Sequence, residues 1–278
     1  MRISITHISE YRYDSPAATV VQALRLTPAP VRGQNVEAWQ ITAPGFGSAA
    51  RYTDGFGNEV HLVARPNDLG VLRIEASGVV ETSDFGGVVG FTGEAMRSGA
   101  YLRSTVATAL SPGIEALSRA VQEDTQLATL HALMQAVHDR VAYVADSTDA
   151  HTTAAAAYEA ARGVCQDHAH IFIAAARALG IPARYATGYL LLDGQDGQET
   201  APAPHAPAHH AWAEALVENV GWIGFDAANN LSPTDKYVRL GAGLDAVSAA
   251  PIRGIRRGTG RESLIVSVDV NELPPLAS

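Results

Sequence analysis

The sequence predicts an α+β protein, with an N-terminal antiparallel β domain over residues 1–95 and a core over residues 96–278 in which helices precede antiparallel strands. Three observations carry this. The first third alternates polar and apolar residues in short runs broken by turn clusters. The middle third spaces its apolar residues by three and four, and the last third returns to alternation. With 278 residues, 47% hydrophobic and 18% charged, the chain has enough apolar material for a substantial core and enough length for two units.

In order along the chain, Ile3, Ile5 and His7 alternate with polar neighbours, and similar runs follow at 22–26, 37–41, 59–64 and 71–80. Turn signals separate them, among them Asp14-Ser15-Pro16, Pro44-Gly45 and the segment DGFGN at 54–58. Such spacing suggests a sandwich or small barrel. His7 and His61 read as satisfied strand residues. A Gly-rich stretch at 84–99 is the expected junction. Beyond it, Leu127, Leu130, Leu133, Met134, Val137, Val141 and Val144 form one apolar stripe of a helix, leaving His131 and His138 exposed. A second, Ala-rich helix is expected at 153–162.

The chain's one cysteine, Cys165, follows Gly163 and opens an apolar run that stops at Gly180 with Pro182 behind it, as helices commonly end. Cys165 is therefore expected in the first turn of a buried helix, where free backbone N–H groups and the helix dipole favour a thiolate over a thiol. The alternative is a small buried hydrophobe. Strands are expected at 183–192, 210–217, 222–226, 237–240 and 263–270. The sixteen residues 193–208 form a long loop that delivers the chain to His210. Arg253, Arg256, Arg257 and Arg261 read as a solvated basic loop.

A nucleophilic cysteine needs a base and a group that orients the base. His210 opens one strand and Asp226 closes the next. Their numbers are both even, so they share a face when the connecting loop is odd in length. A three-residue loop at 218–220 would set Asp226 opposite Trp212 and diagonal to His210.

The segments GVCQDHAH, ARALGIPARYATGYL, HAWAE and GWIGFDAAN, in that order, resemble the bacterial branch of the transglutaminase-like superfamily. ITHISEYRYDSP, LRLTP and DGFGNEV resemble the β domain that precedes its core. The resemblance implies a papain-like core, a catalytic helix packed on an antiparallel sheet, with Cys165 as nucleophile, His210 as general base and Asp226 holding the imidazole. It implies a cysteine protease, amidase or acyltransferase that acts on peptide or isopeptide amides through a thioester. The backbone N–H of Cys165 would be an oxyanion donor. Where relatives read Asp-Pro-Thr-Asn, this chain has Asp226-Ala227-Ala228-Asn229.

Around this triad, Asp167, His168 and Trp212 are candidate substrate-side or supporting residues. Glu214 is expected to meet an arginine, His170 to face away, and His205 and His209 to lie in the loop. Two other readings compete: a zinc site at Cys165, His168 and His210, and an inactive binding or scaffold protein. No cofactor is expected. The partner expected is a peptide or protein amide. The net charge of −9 argues against a phosphate-backbone binder. No segment has the length of a membrane span. One cysteine and an alternating N-terminus make the cytoplasm the expected location.

Overall fold

The structure is a computed structural model that describes residues 1–15, 17–66, 70–92, 96–192 and 209–274. In chain order the N-terminal part gives strands β1 (Arg2–Tyr13), β2 (Ala17–Leu24), β3 (Gln34–Thr42), β4 (Ala50–Thr53), β5 (Glu59–Pro66), β6 (Val71–Thr82) and β7 (Val88–Gly90). Helices α1 (Pro112–Ala120) and α2 (Gln126–Arg140), strand β8 (Ala142–Tyr143), helix α3 (Ala154–Ala160), strand β9 (Arg162–Gly163) and helix α4 (Cys165–Ala178) follow. The chain continues with β10 (Ala183–Leu190), β11 (His209–Val217), β12 (Gly221–Phe225), β13 (Tyr237–Gly243), β14 (Ile252–Gly258) and β15 (Glu262–Leu273).

Two four-stranded sheets, ordered β15-β1-β6-β3 and β14-β2-β5-β4, enclose one apolar core. The alternation of β1 is what builds it: Ile3, Ile5, Tyr11 and Tyr13 point inward, with His7 and Ser9 in the same row. His7 is satisfied as expected, its Nδ1 2.9 Å from the Tyr189 hydroxyl and its Nε2 3.1 Å from Ser9 Oγ. Strand pairing does not follow a single cut near residue 95. The last two strands, expected with the core, pair with the N-terminal strands instead, β15 along β1 and β14 along β2. Conversely, β7 joins the edge of the core sheet. The arginine cluster expected as a loop is thus partly strand: Arg253, Arg256 and Arg257 lie on β14. The guanidinium of Arg256 sits 4.8 Å over the Tyr13 ring.

The core sheet runs β13-β10-β11-β12-β7, all antiparallel, with α4 packed on one side. Helix α4 is buried on nearly every face from Asp167 to Arg177, as its apolar run Ile171–Ala176 requires. It ends where the sequence places the stop. Gly180 takes φ +76°, its N–H donates to Arg177 O at 3.0 Å, and the Ile181 N–H donates to Ala176 O at 3.0 Å. This pair of bonds satisfies the last carbonyls of the helix. Helix α2 buries Leu130, Leu133, Met134 and Val137; Leu127, in its first turn, is exposed, and so is Val144, which lies beyond the helix end at Arg140.

Buried polar contacts fix the core sheet within itself and against the sandwich. Asn58, at the end of the DGFGN turn, accepts the Ala242 N–H and donates to the Ala242 carbonyl, both at 2.8 Å, and so acts as a strand partner for β13. Glu214 on β11 is wholly buried and takes Arg184 Nε of β10 at 2.6 Å and Arg239 Nε of β13 at 2.7 Å. The expected arginine partner is therefore a pair. The backbone of Arg239 is in turn gripped by Gln34 of β3 at 2.7 and 2.8 Å.

Burial alone would push the Glu214 carboxyl up, but the two guanidinium groups lower it to about 2. Its folded value lies below its ordinary one, so the stabilisation is present above about pH 4.5 and is lost as pH falls towards 2. Glu214→Ala leaves two buried guanidinium groups without their partner and should cost about 3–5 kcal/mol in urea denaturation at pH 7. The gap between wild type and variant should close as the pH is lowered through that window.

Candidate active site

Cys165 is the first residue of α4 and is half-buried. The turn that presents it is held by Asp167. One carboxylate oxygen, Oδ2, accepts the Val164 N–H at 2.8 Å and the Thr148 hydroxyl at 2.6 Å. This satisfies a backbone donor that the helix cannot reach. Gly163 makes the fold-back possible: a Cβ there would stand 2.6 Å from Asp167 Cβ and 2.8 Å from Oδ2. Burial pushes the Asp167 carboxyl up, opposed by the bonds from Thr148 and Val164. His168 Nδ1 lies 2.9 Å from Val164 O and its Nε2 2.8 Å from Val141 O, tying the start of α4 to the segment that enters β8.

The β11–β12 hairpin has the odd loop that the parity argument requires. Val217 pairs with Gly221 and Ala213 with Phe225, with Asn219 at φ +64° in the turn. Continued by one residue, this register sets Asp226 against Trp212. His210 Nε2 lies 2.7 Å from Asp226 Oδ2, and Cys165 stands close enough to the ring to act on its charge. The fold thus brings Cys165, His210 and Asp226 together, with His210 hydrogen-bonded to Asp226.

Asp226 is 1% exposed and surrounded by donors. Besides His210, Oδ2 accepts the Tyr237 hydroxyl at 2.7 Å and Asn229 Nδ2 at 2.8 Å, while Oδ1 accepts the Ala228 and Asn229 N–H groups at 3.0 and 3.2 Å. The Ala-Ala dipeptide does not loosen this turn, because reciprocal backbone bonds between Asp226 and Leu231 close it. Burial would raise the Asp226 carboxyl; the bonds from His210, Tyr237 and Asn229 outweigh it and lower it. Burial would likewise lower the His210 imidazole, but the bonds to Asp226 and Cys165 raise it to about 10. Its folded value exceeds the ordinary 6.5, so this stabilisation is complete below about pH 6.5 and is lost as pH rises towards 10.

Other expectations fare differently. Asp167, His168 and Trp212 are 0%, 1% and 2% exposed, so none offers a face to substrate. Asp167 and His168 spend their polar atoms on the backbone around α4, and Trp212 packs with Ala186 and Tyr237 behind the imidazole, 6.4 Å from its centroid. The two backbone bonds of His168 also occupy both its ring nitrogens, which does not suit the zinc alternative. No group of three metal-ligating side chains converges among the described residues. His209, expected in the loop, begins β11, its Nε2 2.9 Å from Thr187 Oγ1; burial lowers its imidazole to about 4. His170 does face away, its ring 5.2 Å from Tyr185 and its Nε2 accepting the Ala246 N–H at 3.1 Å. His205 and the 193–208 loop lie outside the described residues.

Three neighbours of the row escaped the sequence reading. Tyr237 and Asn229 carry no motif that marks them as carboxylate donors. Tyr143 is 51% exposed, and burial together with proximity to Cys165, Asp226 and Asp146 raises its phenol.

With the carboxylate removed in Asp226→Ala, burial should act on His210 with less opposition. Its titration midpoint, followed by NMR of the ring, should drop by about 1–3 pH units.

Residues 3–81 match the bacterial transglutaminase-like N-terminal region and residues 115–227 match the transglutaminase-like superfamily. An uncharacterised protein of Mycobacterium leprae is 28% identical over 283 residues, covering 98% of this chain and 99% of its own. One from Mycobacterium tuberculosis is 29% identical over 295 residues, covering 97% and 92%. Among solved structures, a candidate cysteine protease from Cytophaga hutchinsonii superposes with a TM-score of 0.74 at 21% identity, over 100% of this chain and 92% of that one. The likeness extends over the sandwich and the core together, and the chain belongs to the transglutaminase-like superfamily, with the bacterial N-terminal region ahead of its core.

Proposed function

We propose that this chain is a cysteine-dependent acyl hydrolase or transferase acting on peptide or isopeptide amide bonds. The observation that carries the proposal is the position of His210, hydrogen-bonded to Asp226 and close enough to Cys165 for the two to interact. The imidazole can take the thiol proton as the sulfur attacks, and the carboxylate behind it fixes the ring's orientation.

The sulfur attacks the amide carbonyl, and the backbone N–H at the start of α4 donates to the oxyanion that forms. His210 gives its proton to the leaving nitrogen, the C–N bond breaks, and a thioester to Cys165 remains. Water, or an amine in the transfer case, then attacks the thioester while His210 takes its proton. The C–S bond breaks and the free thiol returns. Tyr237 and Asn229 act through Asp226 and are positioning residues. Peptides and proteins are the substrates this chemistry implies. The cytoplasm is the location we propose with it, since the mechanism needs a reduced thiol.

The thiol should react with iodoacetamide at pH 7 markedly faster than glutathione does, measured by intact mass. Cys165→Ala should show no labelling and no turnover of a peptide thioester with the fold kept. His210→Ala should slow turnover by about 10²–10⁴-fold. A wild-type rate equal to that of glutathione would refute the reading.

A further inference from the structure

A cleft of about 340 Å³ that the mechanism has not used opens near the start of α4, with Gln166 in its lining. Small-ligand pockets run from about 300 to 1,000 Å³, so this one suits a residue-sized group. Its lining comes from the elements that carry the row: Gln166 lies in the first turn of α4 and His209 opens β11. Tyr185, also in the wall, belongs to the face of the core sheet on which α4 packs.

The lining is uneven in its chemistry. Ala246, Val247, Ala250 and Pro251, from the segment between β13 and β14, make one side apolar. No carboxylate lines the cleft among the described residues, and Arg253 on β14 is exposed at it. His209 adds no charge at neutral pH, because burial keeps its imidazole unprotonated. Arg253 is thus the formal charge of the described lining, next to a wall of small aliphatic side chains.

We propose that this cleft binds the substrate next to the scissile bond and selects an aliphatic residue that carries a free carboxylate, with the side chain against Ala246–Pro251 and the carboxylate on Arg253. The inference rests on the proposed thiol chemistry and names its substrate class. The apolar wall accepts the side chain by burial, and the guanidinium offers a planar pair of donors that match a carboxylate. A basic residue would meet like charge with no acid to receive it.

The test uses alkylating probes, so that it reads the cleft without requiring turnover. N-iodoacetyl-leucine carries the aliphatic group and the carboxylate; N-iodoacetyl-leucinamide carries the same side chain without the charge. Rates at Cys165 are measured by intact mass, each divided by the rate with glutathione. The leucine probe should react about tenfold faster than the leucinamide probe, the scale of one charge-assisted hydrogen bond. Arg253→Gln should bring that ratio to near one. Ala250→Phe, which narrows the cleft, should slow both leucine probes relative to iodoacetamide. Should that variant fail to fold, the surface change at Arg253 still decides the matter. Equal rates for the two probes, or a ratio that survives Arg253→Gln, would overturn the proposal. Failure of the thiol chemistry reads separately, as an iodoacetamide rate no higher than that of glutathione.

Discussion

A buried carboxylate is the constraint on which the site depends. Asp226 sits at 1% exposure, where an isolated charge would be prohibitively costly. It is kept ionised by donors placed from three directions: the β11 imidazole, the Tyr237 hydroxyl at the start of β13, and the turn of its own chain through Ala228 and Asn229. Each donor removes part of the desolvation penalty, and together they overcome it. The consequence passes to His210, whose ring cannot turn without leaving that charge short of a partner.

The second requirement is a fixed helix start. Asp167 and His168 look in the sequence like members of the reactive cluster because they stand next to Cys165. In the fold they do something else: one caps the first turn and the other fastens it to the carbonyl of Val141. Proximity in sequence to a nucleophile on a helix is a poor guide to contact with substrate: a residue two positions on turns to another face, and His168, three positions on, spends both ring nitrogens on backbone carbonyls.

How much was legible follows from which signals are local. The stop at Gly180, the odd hairpin at 218–220 and the alternation of β1 are short-range features, and the structure shows each of them. Cys165, His210 and Asp226 could be singled out because the chemistry needs those residue types and the strand parity allows them to meet. Asn229 acts within the Asp226 turn, three residues on. Tyr237 could not be singled out, since its role exists only once β13 lies near the end of β12. The pairing of β14 and β15 with the N-terminal strands was hidden for the same reason. A strand's alternation tells which face is buried and says nothing of its neighbour. Helix α1 was missed although Ser111-Pro112 is a cap followed by a helix-opening proline, and its Ser111 Oγ does accept the Ile114 N–H at 3.4 Å.

Strand β11 shows how the site inherits its precision from the fold. Its period of two sets His210, Trp212 and Glu214 on one face. Glu214 is pinned by arginines from β10 and β13, so one carboxylate fixes three strands against each other. Gly188, opposite His210 in the neighbouring strand, admits no side chain, since a Cβ there would stand 2.0 Å from Val238 O and 2.9 Å from the Trp212 ring. A slip of β11 by one residue would carry Glu214 away from both guanidinium groups and turn His210 to the opposite face. The anchor and the imidazole are therefore in register together or not at all, which is why a residue four positions from the reacting ring belongs to its geometry.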